Sequence, residues 1–274
     1  MCVVVSPLHI PRVELFGVSF SHITFSEVCA FVTGCIETCS PAYIVTPNVD
    51  HICQLQRNPD FQEAYAHAGL VLADGTAVLW AARLCGRPLP EKLSGSDLVP
   101  RLSAFAAAHD YSIFLLGAAP GVAAQAAERL RALFPTLRVA GVYSPPFGFA
   151  RDERLNAETV EIVRRASPDI CFVAFSAPQQ EIWMHRNYRA SGARVMIGVG
   201  AGIDFVAGVQ KRAPEWVQRA GGEWLWRLMH EPRRLWRRYL VEDIRFMPIL
   251  WREFRRQRFQ KRGKSTSCNQ GEPE

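Results

Sequence analysis

The chain has 274 residues, of which 49% are hydrophobic and 21% charged, and a formal net charge of +6. This is an ordinary globular composition, and the length suits one large domain or one domain with an appendage. No run approaches 18 uncharged apolar residues, so the sequence predicts no membrane-spanning helix. The charge is divided unevenly, because residues 1–210 carry 16 Lys and Arg against 18 Asp and Glu, whereas residues 211–274 carry 16 against 8. The basic tail therefore predicts a polyanionic partner: phosphate groups, a membrane surface or nucleic acid.

The leader, cysteine and histidine patterns favour a cytoplasmic chain without a metal. Residues 1–11 lack the basic segment and apolar core of a secretory signal. The eight cysteines form no CxxC pair and no Cys/His block with zinc spacing, which favours reduced thiols. The seven histidines show no HExxH pattern. We therefore expect neither a metal nor a cofactor.

Strand and helix patterns alternate along most of the chain. In order, the predicted elements are strand 13–16, helix 24–39 with Thr24 or Ser26 as N-cap, strand 43–45, helix 58–67, strand 70–73, helix 76–84, helix 96–109 with Ser96 as N-cap, strand 112–117, helix 122–134, strand 138–143, helix 156–166, strand 170–175, a helix ending near residue 188, and strand 195–199. Such alternation predicts an α/β fold, a doubly wound, mostly parallel, Rossmann-like sheet with helices on both faces. We assign it to residues 1–213.

The remaining residues have a different pattern, in which arginine and tryptophan interleave. We predict a basic amphipathic helical appendage at 214–262 and a disordered end at 263–274. One helix through Arg227, Arg234 and Arg237 would place all three on roughly one face. Arginine with tryptophan on amphipathic helices is typical of membrane-interface segments. The alternatives are a solvated basic face whose tryptophans pack on the body, and a nucleic-acid-binding arm.

Polar side chains follow two of the predicted strands. Thr46, Asn48 and Asp50 come after strand 43–45, and Asp74 comes after the next strand. Because ligands of open α/β sheets bind outside the carboxyl ends of the strands, we expect these side chains to converge on one crevice. A partly desolvated Asp74 would be a suitable general base. The alternative for Asp74 is an N-cap of the helix that follows.

Thr46 and Asn48 offer a hydroxyl and an amide suited to sugar or phosphate oxygens. The alternative is a simple turn, since Asn and the intervening Pro47 are turn residues. Asp50 is an alternative cap for the helix after it.

Three more strand ends are candidates for ligand contact. The turn from Gly117 to Gly121 leads into a helix N-terminus, where backbone N–H groups bind phosphate. Gln180, in the run 176–181, has an amide that would read a base edge or a sugar hydroxyl, although a plain turn is the alternative. The glycine-rich run 198–202 either contacts a ligand or lets two backbones approach.

Together these motifs resemble the WecG/TagA/CpsF family of bacterial glycosyltransferases, over about residues 12–240. The matching runs are TPN (46–48), ADG (73–75), WAARLCGRPLP (80–90), GSDL (95–98), FLLGAAPG (114–121), APQQE (177–181), GVGAGIDFVAGVQKRAPEWVQ (198–218) and EWLWRLMHEPRRLWRRYL (223–240). The chain departs from the family pattern at Phe175 and Gln179.

The resemblance implies an inverting, metal-independent transfer of a hexose-type sugar from a UDP-sugar to a sugar on undecaprenyl diphosphate, at the inner face of the cell membrane, in surface polysaccharide biosynthesis. It implies that Asp74 is the base. The other implied contacts, with donor or acceptor, fall on Thr46, Asn48, Asp97, Gly117, Gly121, Gln180, Glu181, Arg227, Arg234 and Arg237. The sequence has no DxD pair suited to a divalent metal, so arginines and helix N-termini would stabilise the leaving diphosphate. A homo-oligomer, formed through an apolar face beside the appendage, is a further expectation.

Two other functions are weighed against this one. A nucleotide-dependent oxidoreductase or epimerase would need GxGxxG after the first strand and a Tyr-x-x-x-Lys pair, and the sequence has neither. A non-enzymatic protein that grips nucleic acid with its basic tail would show steeply salt-dependent DNA binding. No RNP, helix-turn-helix or OB pattern accompanies the tail, so we expect no nucleic-acid partner.

Overall fold

The computed structural model describes residues 10–210, 212–214, 217, 222–230 and 243–267. The strands are β1 (Arg12–Leu15), β2 (Val18–Ser21), β3 (Ala42–Val45), β4 (Leu70–Val71), β5 (Ser112–Gly117), β6 (Arg138–Tyr143), β7 (Ile170–Ala174) and β8 (Val195–Gly198). The helices are α1 (Phe25–Glu37), α2 (Val49–Leu55), α3 (Pro59–Ala66), α4 (Thr76–Leu84), α5 (Gly95–Ala108), α6 (Val122–Leu133), α7 (Glu153–Ala166), α8 (Gln179–Asn187), α9 (Gly202–Ala207), α10 (Glu223–His230) and α11 (Phe246–Ser267). Two 3-10 turns lie at Phe149–Arg151 and Asp243–Arg245.

The central sheet has six parallel strands in the order β4-β3-β8-β7-β5-β6. Five of its strands, β3, β4, β5, β7 and β8, are almost wholly buried, which is why they read as continuous apolar runs in the sequence. The edge strand β6 alternates between exposed and partly buried residues. Along β5, Phe114 and Leu116 enter one apolar cluster, whereas Ile113 and Leu115 enter the other. The predicted α/β fold with a parallel sheet and helices on both faces is confirmed.

The first predicted strand is not part of the central sheet. Among the described residues β1 pairs with β2 alone, in an antiparallel hairpin that was not predicted from the sequence. Phe16 and Gly17 form its two-residue turn, with φ of 58° and 76°, as the tight turns of hairpins require. β2 was not predicted because it has only four residues and follows β1 directly after this turn.

Other differences concern helices. Helices α2 and α9, both of which are short, were not predicted from the sequence. The N-cap of α2 is Asn48, whose side chain accepts a hydrogen bond from the His51 N–H, so Asp50 is not the cap. Helix α5 begins at Gly95 after Ser94, so the prediction of Ser96 as its N-cap was wrong.

Helix α11 packs on the body of the protein. The Phe246 ring lies 5.2 Å from that of Phe16, centroid to centroid, and Arg87 Nε donates to Gln257 Oε1 at 3.2 Å. The helix ends at Ser267, beyond residue 263, where the sequence placed the start of a disordered end. Within the described part of the chain, no helix combines the length and apolarity needed to cross a bilayer.

Candidate active site

The loops after β3 and β4 are joined by a backbone hydrogen bond. The Asp74 N–H donates to the Pro47 carbonyl oxygen at 3.0 Å, which brings Asp74 beside the segment that holds Thr46 and Asn48. Asp74 is half-buried. The N-cap of α4 is Gly75, at φ 92° and without a side-chain cap, so Asp74 is not held there as a helix cap. The loops after β3 and β4 are therefore adjacent at this end of the sheet, and the convergence of their side chains on one crevice stays a prediction.

Thr46 and Asn48 also have structural roles. The Thr46 hydroxyl donates to the Gly198 carbonyl oxygen at 2.9 Å and thereby ties β3 to β8. Thr46 is only 4% exposed, so its hydroxyl is occupied by this buried contact. Asn48, which is partly exposed, starts α2 through its side-chain oxygen, at 3.2 Å from the His51 nitrogen.

Gln180 links the ends of β7 and β8. Its Oε1 accepts from the backbone N–H groups of Phe175, at 3.2 Å, and Gly200, at 3.0 Å. The space for this side chain exists because residue 198 is glycine, where a Cβ would lie 2.6 Å from Gln180 Nε2. Gln180 is itself buried, and it therefore holds two strand-end loops in register beside the crevice.

The next residue in the chain, Glu181, has a buried carboxyl group. Gln180 Nε2 donates to Glu181 Oε1 at 2.8 Å, and Glu181 is fully buried. Burial raises the pKa of Glu181 to about 7, against the lowering effect of hydrogen bonds from its own backbone and from Gln180, and the charge of Asp50 raises it further. Among the described residues, Glu181 Oε2 has no hydrogen-bond partner.

His51 and Tyr65 complete this network, and neither was predicted from the sequence. His51 Nδ1 lies 3.8 Å from Glu181 Oε1 and 2.8 Å from the Tyr65 hydroxyl. Burial, followed by the charges of Glu181, Asp74 and Asp50, raises the pKa of Tyr65 well above its usual value. The contacts of His51 join Tyr65 of α3 to Glu181 of α8, and they depend on residues distant in the chain. The run NVDH at 48–51 was the only local signal for His51.

The turn from Gly117 to Gly121 leads into α6. Gly117 has φ 104°, and a Cβ on it would lie 2.4 Å from the Ala174 carbonyl oxygen, so the approach of β7 requires glycine. Gly121 has φ 84° and is the N-cap of α6, with no atom within 4 Å of a Cβ built on it. The backbone at this helix N-terminus is thus open on the side where a side chain would stand.

Asp97 lies in the first turn of α5 and holds Arg212, just before the C-terminal appendage. It forms ion pairs with Lys92 Nζ, at 3.2 Å, and with Arg212, and it accepts from the Ser94 hydroxyl at 2.5 Å. Burial acts to raise the pKa of Asp97, but hydrogen bonds from Ser94 and Arg212, with the charges of Lys92 and Arg212, lower it below its usual value.

The structure does not describe the side chains of the three arginines predicted to bind a diphosphate. Arg227 lies in α10, of which only the backbone is described at this position, and Arg234 and Arg237 lie outside the described residues. Their shared face and their contact with substrate stay predictions.

Comparison with known proteins identifies the group to which the chain belongs. Its sequence is 33% identical over 219 residues to an N-acetylglucosaminyldiphosphoundecaprenol N-acetyl-beta-D-mannosaminyltransferase of Bacillus spizizenii, covering 78% of this chain and 82% of the relative. A protein of the same name from Bacillus subtilis is 32% identical, covering 73% of this chain and 75% of the relative. Another, from Staphylococcus aureus, is 26% identical, covering 82% of this chain and 87% of the relative. The model of the glycosyl transferase WecG/TagA/CpsF family matches residues 13–260. The resemblance in the sequence is thereby confirmed, and the chain belongs to the WecG/TagA/CpsF family of glycosyltransferases.

Proposed function

We propose that this glycosyltransferase moves a hexose-type sugar from a UDP-sugar to a sugar on undecaprenyl diphosphate, with inversion and without a metal. The observation that carries the proposal is the hydrogen bond from Asp74 N–H to the Pro47 carbonyl, which sets the loop of the half-buried Asp74 beside the segment that holds Thr46 and Asn48. In this proposal the three side chains line one crevice. The names of the relatives specify an N-acetylglucosaminyldiphosphoundecaprenol acceptor and an N-acetylmannosaminyl group. We extend this acceptor class to the present chain.

In the proposed reaction, Asp74 takes the proton of the acceptor hydroxyl while that oxygen attacks the anomeric carbon of the donor sugar. The new glycosidic bond forms as the bond to UDP breaks, and the electron pair leaves with the diphosphate. One proton therefore ends on Asp74, and UDP leaves with the charge that needs stabilisation.

Two groups of hydrogen-bond donors would stabilise the negative charge on the leaving diphosphate. Arg227, Arg234 and Arg237 would form bidentate, charge-assisted hydrogen bonds with diphosphate oxygens. The turn from Gly117 to Gly121 would add the backbone N–H groups of the α6 N-terminus, on the side that is open at Gly121.

The buried network beside the crevice has a supporting role in this proposal. Gln180 and Glu181 shape the loops after β7 and β8 and so position the walls of the site. Asp97 holds Arg212, just before the C-terminal appendage, by an ion pair, so it would position this part of the chain and not touch substrate.

Exposed apolar side chains support docking of the protein on the inner face of the cell membrane. Met247 and Trp251 are 60% and 61% exposed on α11, one turn apart, and the same helix exposes several arginines. Trp80 and Leu84 are similarly exposed on α4, and Arg87, in the segment after α4, donates a hydrogen bond to Gln257 of α11. Aromatic side chains with arginine suit the headgroup region of anionic lipid.

The test is a UDP-release assay of the full chain with a panel of UDP-sugars and an N-acetylglucosaminyl-diphosphate acceptor on a prenyl chain. Release that requires both one donor and the acceptor is expected, and it should persist after treatment with EDTA. Salt-sensitive DNA binding without UDP release from any donor would favour the nucleic-acid-binding alternative instead.

A further inference from the structure

Three side chains that bind metals in other proteins meet on the outer side of α3 and α8. Glu63 belongs to α3, His67 is the residue that caps its C-terminus, and His185 belongs to α8. Their ligand atoms all lie within 4.8 Å of one another, and His185 Nε2 lies 3.9 Å from Glu63 Oε1. The ring centroids of the two histidines are 5.1 Å apart.

The hydrogen bonds of His185 leave Nε2 as its metal-binding atom. The Tyr43 hydroxyl donates its one hydrogen to the Ala64 carbonyl oxygen at 2.5 Å, so it accepts from His185 Nδ1 at 3.0 Å. The proton of a neutral His185 ring is therefore on Nδ1, and the lone pair is on Nε2. This is the nitrogen that faces Glu63.

The hydrogen bond of His67 also leaves Nε2 as its metal-binding atom. Its Nδ1 lies 3.0 Å from the backbone carbonyl oxygen of Glu63, which only accepts hydrogen bonds. The lone pair of the neutral ring is thus again on Nε2. Histidines that bind metals almost always donate their other ring N–H in this way, to a carbonyl, carboxylate or similar partner.

Helix geometry and packing explain why the three residues meet. Glu63 and His67 are four positions apart, so both lie on one face at the end of α3. Helix α8 packs beside α3, where Arg186 forms an ion pair with Asp60 at 3.2 Å, and this packing brings His185 to the same face. Because the third residue comes from a distant segment, no spacing pattern in the sequence marks the cluster.

We propose that Glu63, His67 and His185 bind one divalent transition-metal ion of the zinc class, with water as a further ligand. Two imidazoles and one carboxylate suit Zn²⁺, Co²⁺, Ni²⁺ or Cu²⁺, whereas Mg²⁺ and Ca²⁺ prefer oxygen ligands. A tetrahedral zinc site needs ligand atoms roughly 3.3 Å apart, for bonds of about 2.0 Å. The Glu63 side chain is exposed, so it can rotate to close the remaining gap while His67 keeps its Nδ1 hydrogen bond.

The metal would join two helices that carry the buried network beside the crevice. Tyr65 lies between Glu63 and His67 in the chain, and Glu181 is one turn before His185 on α8. An ion at this position stabilises the packing of α3 on α8 without contacting the reacting groups. The inference is thus independent of the proposed sugar transfer, in which no metal takes part.

The experiment is a metal titration of the untagged full chain after treatment with a chelator, with a chromophoric competitor as the readout. We expect one equivalent of Zn²⁺ to bind, no binding of Mg²⁺, and a rise in Tm on addition of Zn²⁺. Glu63→Gln and His67→Ala should each weaken Zn²⁺ binding by more than about tenfold and reduce the rise in Tm. Both positions are exposed, and neither change removes a buried group.

The matched control is His109→Ala. His109 also caps the C-terminus of a helix, and its Nδ1 lies 2.9 Å from the carbonyl oxygen four residues earlier, but it has no part in the cluster. Its loss should leave Zn²⁺ affinity unchanged. Because the chain has eight cysteines, the absorption spectrum of the Co²⁺ form separates thiolate from imidazole and carboxylate ligands. A thiolate charge-transfer band, no bound equivalent, or unaltered affinity in both cluster variants would overturn the proposal.

Discussion

The backbone N–H of Asp74 lies 3.0 Å from the carbonyl oxygen of Pro47 and donates to it. This hydrogen bond extends the pairing of β3 with β4 beyond the ends of both strands. It uses only the backbone of Asp74, so the carboxylate can be altered without removing the contact that positions it.

Asp74→Asn should lower kcat by about 10²–10⁴-fold, since that is the usual contribution of a general base. The fold should be retained, because the amide has the shape of the carboxylate and the backbone hydrogen bond stays. Steady-state UDP release and circular dichroism together measure both effects. Asp110→Asn is the control, since Asp110 is an exposed residue at φ 57° that asparagine also tolerates. Near-normal turnover of the Asp74 variant would refute its role as the base.

Thr46→Val should destabilise the protein by about 0.5–1.5 kcal/mol, the usual net contribution of one hydrogen bond. The change removes the buried bond from the Thr46 hydroxyl to Gly198 and keeps the size of the side chain. Urea denaturation gives the free energy of unfolding. Thr38→Val removes an exposed bond of the same kind, to Gly34, and should have a smaller effect. Equal losses would show that burial at Thr46 is unimportant.

Glu181→Gln should change how stability depends on pH. The pKa of Glu181 is raised from 4.5 to about 7 in the folded protein, so between those pH values the folded state binds the proton more tightly than the unfolded state. The wild-type protein therefore loses stability as pH rises through this window, and the loss is complete above the folded pKa. The amide cannot ionise and keeps an oxygen for the hydrogen bond from Gln180.

The measurement is the free energy of unfolding of both proteins at pH 5 and pH 8. Relative to wild type, Glu181→Gln should be more stable at pH 8 than at pH 5, by roughly 1–3 kcal/mol. Subtracting the wild-type curve removes the titrations common to both proteins. A constant difference across this range would contradict the raised pKa.

Gly95→Ala should cost about 1–3 kcal/mol through overpacking. A Cβ there would lie 2.3 Å from the Val199 carbonyl oxygen, which is backbone and cannot rotate away. Gly34→Ala, inside α1 with nothing within 4 Å of the added atom, should instead stabilise by about 0.5–1 kcal/mol. Thermal or urea unfolding shows whether each variant is more or less stable than the wild-type protein. Tolerance of alanine at both positions would mean that α5 and β8 can separate without loss of stability.

Replacing both Met247 and Trp251 with serine should lower partitioning onto vesicles that contain anionic lipid by at least about tenfold, because most of an interfacial apolar contact is lost. Vesicle co-sedimentation at low and moderate salt measures the effect. Phe147→Ser is the control, since Phe147 is fully exposed in the loop after β6. If the control weakens binding as much as the double variant, α11 is not the docking element.

The sequence by itself determined the class of fold and the position of most elements. The bounds of β5, β6 and α4 agree with the prediction, because these segments have clear apolar patterns and end in glycine or polar residues. The ends of the strands also marked Thr46, Asn48 and Asp74, since in a parallel sheet those ends share one edge. The family followed from motifs that are short and contiguous.

Only the tertiary structure decided which residues from separate segments meet. The strand order β4-β3-β8-β7-β5-β6, the contact of Glu181 with His51, and the cluster of Glu63 and His67 with His185 each join distant parts of the chain. Local periodicity reports how a segment presents one face to the core, but it does not specify which other segment covers that face. Packing of α3 against α8 makes that selection, and it produces both the buried carboxyl network and the outer histidine cluster.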